Sequence, residues 1–205
     1  PRMLALAAAL IFVSAPHEAQ RGKKRDDSPP NAPHRCPYCE GDPERMAAAG
    51  VVSHGGFEFA RKANTAEVDA SAGTATIYWI ESAHFQIGFA LGSYKIPTPS
   101  RKAIMAELTE LSQVLPEVNP KTRTLDPWLR THLMVQRCEK SYARFIELFH
   151  LGDITWPDGK TKWNLIGKYL GEGPYLGQKG KYELIIWPNQ SLHTRFLEEN
   201  FGLRI

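Results

Sequence analysis

Apolar positions recur along this chain in three rhythms, and each rhythm predicts a different kind of element. Residues 3–13 (MLALAAALIFV) are apolar all round. Such a run is too short to cross a bilayer and suits the hydrophobic stretch of a signal peptide. Residues 74–91 (TATIYWIESAHFQIGFAL) are rich in β-branched and aromatic residues, and His84 to Phe89 alternates polar with apolar. This predicts one long bent strand, or a hairpin turning near residues 81–83. His84 shares the polar parity of Gln86, which predicts a surface or edge position. The third rhythm is helical. Ile104, Leu108, Leu111 and Leu115 stand at i, i+4, i+7 and i+11 and predict one buried stripe. Trp128, Val135, Cys138, Tyr142, Phe145 and Phe149 follow a near-heptad spacing that predicts a central packed helix. Residues 181–188 read as a second strand ended by Pro188, and Leu192, Phe196 and Leu197 as the inner side of a last helix.

Punctuation sharpens these elements. Asp42-Pro43 and Asp126-Pro127 each spell an N-cap followed by a proline at the first helical position. Ser100 or Thr98, and later Asn189 or Ser191, serve the other helix starts. A short helix after Asp42 stops at Gly50, residues 51–59 form a loop or short strand, and residues 66–70 a brief helix or turn. Residues 152–180 are a long glycine-rich loop, with a ribbon around residues 163–166. The fold class is therefore α+β: a small mixed sheet, with strands near 76–91 and 181–187, packed with helices near 101–115, 127–150 and 190–201.

The domain layout follows. Residues 1–19 read as a signal peptide with a truncated basic start at Arg2, cleaved near Ala15 or Ala19. Residues 20–35 are a charged, proline-rich tether without apolar periodicity, expected to be disordered. Residues 36–75 are a lead-in segment, and residues 76–205 the α+β domain, expected to continue past Ile205 in a longer protein. Charge changes little: 25 Lys and Arg against 22 Asp and Glu give +3, and the basic residues are scattered outside the block at residues 21–25. Basic and aromatic residues do not interleave as a nucleic-acid surface requires. No second run is apolar enough for a membrane span after signal cleavage. The expected location is exported: periplasm, envelope or extracellular space.

Candidate chemistry centres on Cys36-Pro37-Tyr38-Cys39. The pair supplies half of a tetrahedral zinc site, which His54 and His34 would complete. It also suits a local disulfide, or two thiols pinning the lead-in segment to the domain. It also spells the glutaredoxin active-site motif, which would make Cys36 an attacking thiol. That family leads into the motif with a hydrophobic strand and out of it with a long helix, whereas here Asn31-Ala32-Pro33-His34 precedes and Glu40-Gly41-Asp42-Pro43 follows. Glu40 stands where haem attachment requires His. Cys138 falls inside a helical stripe and reads as a small buried apolar group. His132 is followed at i+4 by Gln136, so it forms no helical ligand pair. There is no HExxH, no GxSxG elbow and no P-loop. Glu107/Glu110 and Glu198/Glu199 read as solvated helix faces. The glycine-rich stretch 171–180, with Glu172, Tyr175 and Gln178, is a candidate contact loop for a protein or peptide ligand in an envelope binding module.

Three segments together resemble a known family: residues 79–87 (WIESAHFQI), 135–149 (VQRCEKSYARFIELF) and 182–202 (YELIIWPNQSLHTRFLEENFG). They are similar to the front half of exported bacterial peptidase MA-like, gluzincin-type domains, with an S-x-H-F-x-I strand and an E-x-x-Y-x-x-F helix at Glu139, Tyr142 and Phe145. The resemblance implies a scaffold half whose zinc-binding HExxH helix comes later in the chain. None of that family's catalytic residues maps onto a position here, so the implied role is the non-catalytic N-terminal part of a zinc metallopeptidase-like protein.

Overall fold

The computed structural model describes residues 35–60, 63–151, 164–165, 168–169 and 174–203. The expected leader and most of the tether, His34, Trp163 and Glu172 lie outside these residues. In chain order the elements are α1 (Pro43–Ala48), β1 (Glu58–Phe59), β2 (Ala63–Asn64), α2 (Thr65–Ser71), β3 (Tyr78–Glu81), β4 (Phe85–Phe89) and β5 (Tyr94–Lys95). There follow α3 (Arg101–Ser112), β6 (Thr124–Leu125), α4 (Pro127–Leu148), the ribbon β7 (Asn164–Leu165) and β8 (Lys168–Tyr169), then β9 (Tyr182–Ile186) and α5 (Gln190–Phe201). The class is α+β.

The main sheet has the order β3-β4-β9 and is mixed. β3 and β4 form the antiparallel hairpin, with Trp79 opposite Gly88 and Ile80 opposite Ile87. β9 adds to β4 in parallel, with Phe85 opposite Tyr182 and Phe89 opposite Ile186. Gly88 has a packing reason: a Cβ there would lie 2.6 Å from Cζ3 of Trp79. The indole covers this strand position, and only a residue without a side chain leaves it room.

Helix caps hold as the sequence spells them. Asp42 accepts from the backbone of Glu44 and Arg45, Asp126 from Leu129 and Asn189 from Leu192. At α3 neither candidate caps with its side chain; a turn of 3-10 helix at Thr98–Ser100 leads in instead. Gly202 ends α5 in the left-handed conformation at φ 66°, which glycine reaches without a Cβ penalty.

The predicted α3 stripe is buried throughout, and it packs with Tyr78, Phe89, Trp128, Leu129 and Leu133 into one core that also contains Cys36 and Cys39. A second core joins Phe57, Phe59 and Val68 of the lead-in to Trp79 and Phe196. Residues 36–75 thus contribute to the same hydrophobic clusters as the sheet and helices. α4 differs from its prediction. Its first half is buried, with Trp128 and Leu133 inaccessible, but Phe145, Leu148 and Phe149 are exposed. Phe145 and Phe149 meet each other at 4.6 Å instead of entering a core. The reason is length: α4 packs on β3 and β4, and Tyr142 still meets Phe85 and Tyr182 of the sheet, but the helix end beyond it, at Phe145 to Phe149, is exposed.

Candidate metal centre

The Cys36–Cys39 segment folds as a tight turn. The backbone N–H of Glu40 donates to the Cys36 carbonyl at 2.9 Å, and that of Asp42 to the Cys39 carbonyl at 2.8 Å. Glu40 and Gly41 take φ of 51° and 70°, which turns the chain sharply into α1. The Cys39 N–H points back at the Cys36 sulfur, at 3.5 Å. Both sulfurs are therefore directed inward, and both residues are buried.

Two other segments close on them. Residues 52 and 53 extend the sheet edge, since Val52 N–H donates to the Glu81 carbonyl at 2.7 Å and Glu81 N–H to the Ser53 carbonyl at 2.8 Å. This edge pairing delivers His54, followed at once by Gly55 at φ 90°, where an added Cβ would lie 3.5 Å from Trp79 Cβ. The fourth side chain is His132, one turn after Trp128 on α4 and only 2 % exposed. Tyr38 fixes the turn against that helix by donating its hydroxyl to Asp126, the residue that also caps α4. The Tyr38 hydroxyl is held well above its ordinary value by burial and by that carboxylate.

One donor atom each from Cys36, Cys39, His54 and His132 lies within 4.8 Å of all the others. His132 Nε2 stands 3.1 Å from Cys36 Sγ and 3.5 Å from Cys39 Sγ. His54 Nε2 stands 3.6 Å from Cys39 Sγ, and the two sulfurs are 3.2 Å apart. Zinc–sulfur bonds of about 2.3 Å and zinc–nitrogen bonds of about 2.0–2.1 Å imply donor–donor edges of roughly 3.4–3.8 Å in a tetrahedron. The observed separations need only small outward shifts to enclose such an ion. The donor set, two thiols and two imidazoles, is one that selects zinc.

Electrostatics favour the same state. The Cys36 thiol is driven strongly down, first by the hydrogen bond from Cys39 and then, against the opposing effect of burial, by His132 and His54. The same bond and burial drive Cys39 strongly up. One thiolate thus forms readily beside two imidazole nitrogens, and the second thiol needs a cation before it can ionise. Both residues are free thiols in the structure. His54 is the half-buried donor and also lines a hollow of about 620 Å³ bounded by Thr65, Asp69 and Trp79, which the other three donors do not line.

Of the predicted ligands, Cys36, Cys39 and His54 come together. His132, set aside because it lacks a helical partner ligand, is the residue that completes the set. Its partners are not on its own helix: they are 93 and 96 residues earlier in the chain, so i+4 spacing carried no information about it.

His84 lies at the hairpin turn just before β4, its side chain 32 % exposed, and it has partners there. Its ring nitrogen Nδ1 is 2.6 Å from Glu139 Oε2, its backbone N–H donates to Oε1 of the same carboxylate at 3.0 Å, and its ring stacks on Tyr142 at 3.8 Å. The two motifs that carried the family resemblance, on β4 and α4, touch through this pair. Glu107 and Glu110 make exposed ion pairs with Arg137 and Lys140. Cys138 is half-buried beside Val135 and Leu184. Among the contact-loop candidates, Tyr175 and Gln178 close a tight turn through reciprocal backbone hydrogen bonds, and Tyr175 faces the His84 ring at 6.3 Å. Among the described residues no helix is long and apolar enough to cross a membrane.

Comparison with protein-family models, curated proteins and solved structures found no match.

Proposed function

We propose that this chain is a zinc-stapled, non-catalytic α+β domain in which Cys36, Cys39, His54 and His132 hold one structural zinc ion. The observation that carries this reading is the convergence of four donor atoms from three separate segments within 4.8 Å. Four protein donors close a tetrahedral coordination sphere and leave no position for a water or substrate, which is the pattern of a structural site and not of a hydrolytic one. The ion would tie the lead-in turn and the sheet edge to α4.

The wider role is that of a scaffold part of an exported, metallopeptidase-like protein. It is supported by the apolar run at residues 3–13 and by the resemblance of the β3–β4, α4 and β9–α5 segments. A zinc ion on the thiols would also keep Cys36 and Cys39 from oxidising in an exported setting. The test is metal analysis of the purified full chain with a fluorogenic peptide assay alongside. About one zinc per chain, lost in His132→Ala, with no peptide hydrolysis, is the expected result. A metal-free chain with Cys36 and Cys39 joined as a disulfide would overturn the zinc reading in favour of thiol chemistry. Hydrolysis abolished by His54→Ala would overturn the non-catalytic one.

A further inference from the structure

A second site lies on the other side of α4 and does not depend on the metal. A cleft of about 670 Å³ opens between α3 and α4, and its floor is Phe89 and Ile186, the paired last residues of the parallel strands β4 and β9. Ile104, Leu133 and Met134 form apolar walls. The volume falls within the range of small-molecule sites, about 300–1,000 Å³. The cleft lies at the carboxyl ends of the one parallel pair, β4 and β9, of the main sheet.

The charges in this cleft are few and unequal. Arg137 and Glu107 cancel each other in a two-point pair, Nε–Oε1 at 3.0 Å and Nη2–Oε2 at 2.6 Å. Arg130 is different. Its guanidinium carbon sits 5.1 Å from the centre of the Phe89 ring and 5.2 Å from that of Tyr94, and Nη1 donates to the Gly92 carbonyl. Among the described residues no carboxylate pairs with it. Burial weakens its hold on the proton, as expected of a partly desolvated cation. A guanidinium has five N–H donors in a planar fork that matches a carboxylate, and here one is committed to a carbonyl. Two rings hold the group in place without neutralising it, and an uncompensated cation in an apolar cleft favours an anionic ligand.

We propose that this cleft binds a small monocarboxylate with an apolar aryl or alkyl body, its carboxylate on Arg130 and its body against Phe89, Ile104, Leu133 and Ile186. Specificity then comes from one charge and one apolar slot: the acid is accepted, and the alcohol of the same shape is rejected because it leaves the guanidinium unpaired.

Isothermal titration of the full chain with 4-phenylbutyrate and with 4-phenyl-1-butanol tests this. The acid should bind about tenfold or more tightly than the alcohol, the expected worth of a hydrogen bond to a charged group. Arg130→Met should remove that difference. Perturbed backbone amide resonances should cluster at the lining residues. Equal binding of acid and alcohol, or no binding of the acid at millimolar concentration, would overturn the proposal. That comparison uses the unaltered chain, so it decides the matter even if Arg130→Met does not fold.

Discussion

Cys36 Sγ and His132 Nε2 lie 3.1 Å apart although 96 residues separate them in the chain. The contact joins a turn without regular structure to the buried face of the longest helix, and both side chains are almost inaccessible. Two cysteine sulfurs and two imidazoles at these distances are polar matter inside an apolar core. Burial of this kind is costly unless the groups are paired or coordinated. The proposed cation would offset that cost where the lead-in segment packs among Trp128, Leu129 and Leu133.

Removing the fourth donor should therefore weaken the whole domain and not the turn alone. His132→Ala, or treatment of the unaltered chain with a strong chelator, is expected to lower stability by about 3 kcal/mol, since loss of a metal belongs to the severe class of perturbations. For a chain of this size that corresponds to a fall of roughly 10 °C in Tm. Differential scanning calorimetry with and without added zinc reads it. An unchanged Tm in both conditions would mean that the four residues hold no structural ion.

How much of this was legible in the sequence depended on whether the signal was local. The α3 stripe and the aspartate–proline helix starts are decided by neighbours within a few residues, and they fold as spelled. The cysteine pair was legible for the same reason. His132 was not, because a ligand on a helix declares itself in sequence only when its partner ligand shares that helix. For His84, strand parity indicated a surface or edge position but not what lies beside it; α4 crosses there and supplies Glu139 and Tyr142. The exposed end of α4 failed in the opposite direction: Phe145 and Phe149 keep the apolar period where there is no sheet left to meet it.

The His84–Glu139 contact should make stability sensitive to acid. Burial pushes the Glu139 carboxyl up, but hydrogen bonds from the His84 ring and Ser82, with the His84 backbone N–H, outweigh it and hold the group below its ordinary value of 4.5. A carboxyl depressed in the folded state contributes stability that is present above its unfolded value and lost as pH falls through the folded one. Glu139→Gln should flatten the acid limb of a stability–pH curve below about pH 4.5 and cost about 1 kcal/mol at neutral pH, a modest value because the pair is partly solvated. Urea unfolding at stepped pH measures both. A variant whose acid limb matches that of the parent would refute the assignment.

Asp69 should behave with the opposite sign. Burial raises its carboxyl above the ordinary value, only partly countered by the N–H that Trp79 donates to it at 2.9 Å. The folded state then binds a proton more tightly than the unfolded one, so this group lowers stability as pH rises through that window. Asp69→Asn keeps an acceptor for the Trp79 N–H and removes the carboxylate charge of this largely exposed residue. It is expected to leave stability near pH 4 little changed and to raise it at pH 7 by only about 0.3 kcal/mol, because solvent screens a carboxylate this exposed. The same urea series would show a loss at pH 7 if the charge itself were needed.

The position least tolerant of change in the sheet should be Gly88. A Cβ built there meets Trp79 at 2.6 Å from Cζ3, 2.8 Å from Cη2 and 3.1 Å from Cε3, and the indole has little freedom to retreat. Its N–H is bonded to Asp69 and its ring packs on Phe59 at 4.9 Å and Phe57 at 5.9 Å. Overfilling such a site costs about 1–3 kcal/mol, while alanine recovers only about 0.4–1 kcal/mol by restricting the unfolded chain. Gly88→Ala should accordingly destabilise by about 1–2 kcal/mol net. The cause is separable from any general intolerance of β4 by a double-mutant cycle. In a Trp79→Phe background the clashing benzo ring is gone, so Gly88→Ala should cost little there. An equal cost in both backgrounds would place the strain in the strand itself and not in the approach of Trp79.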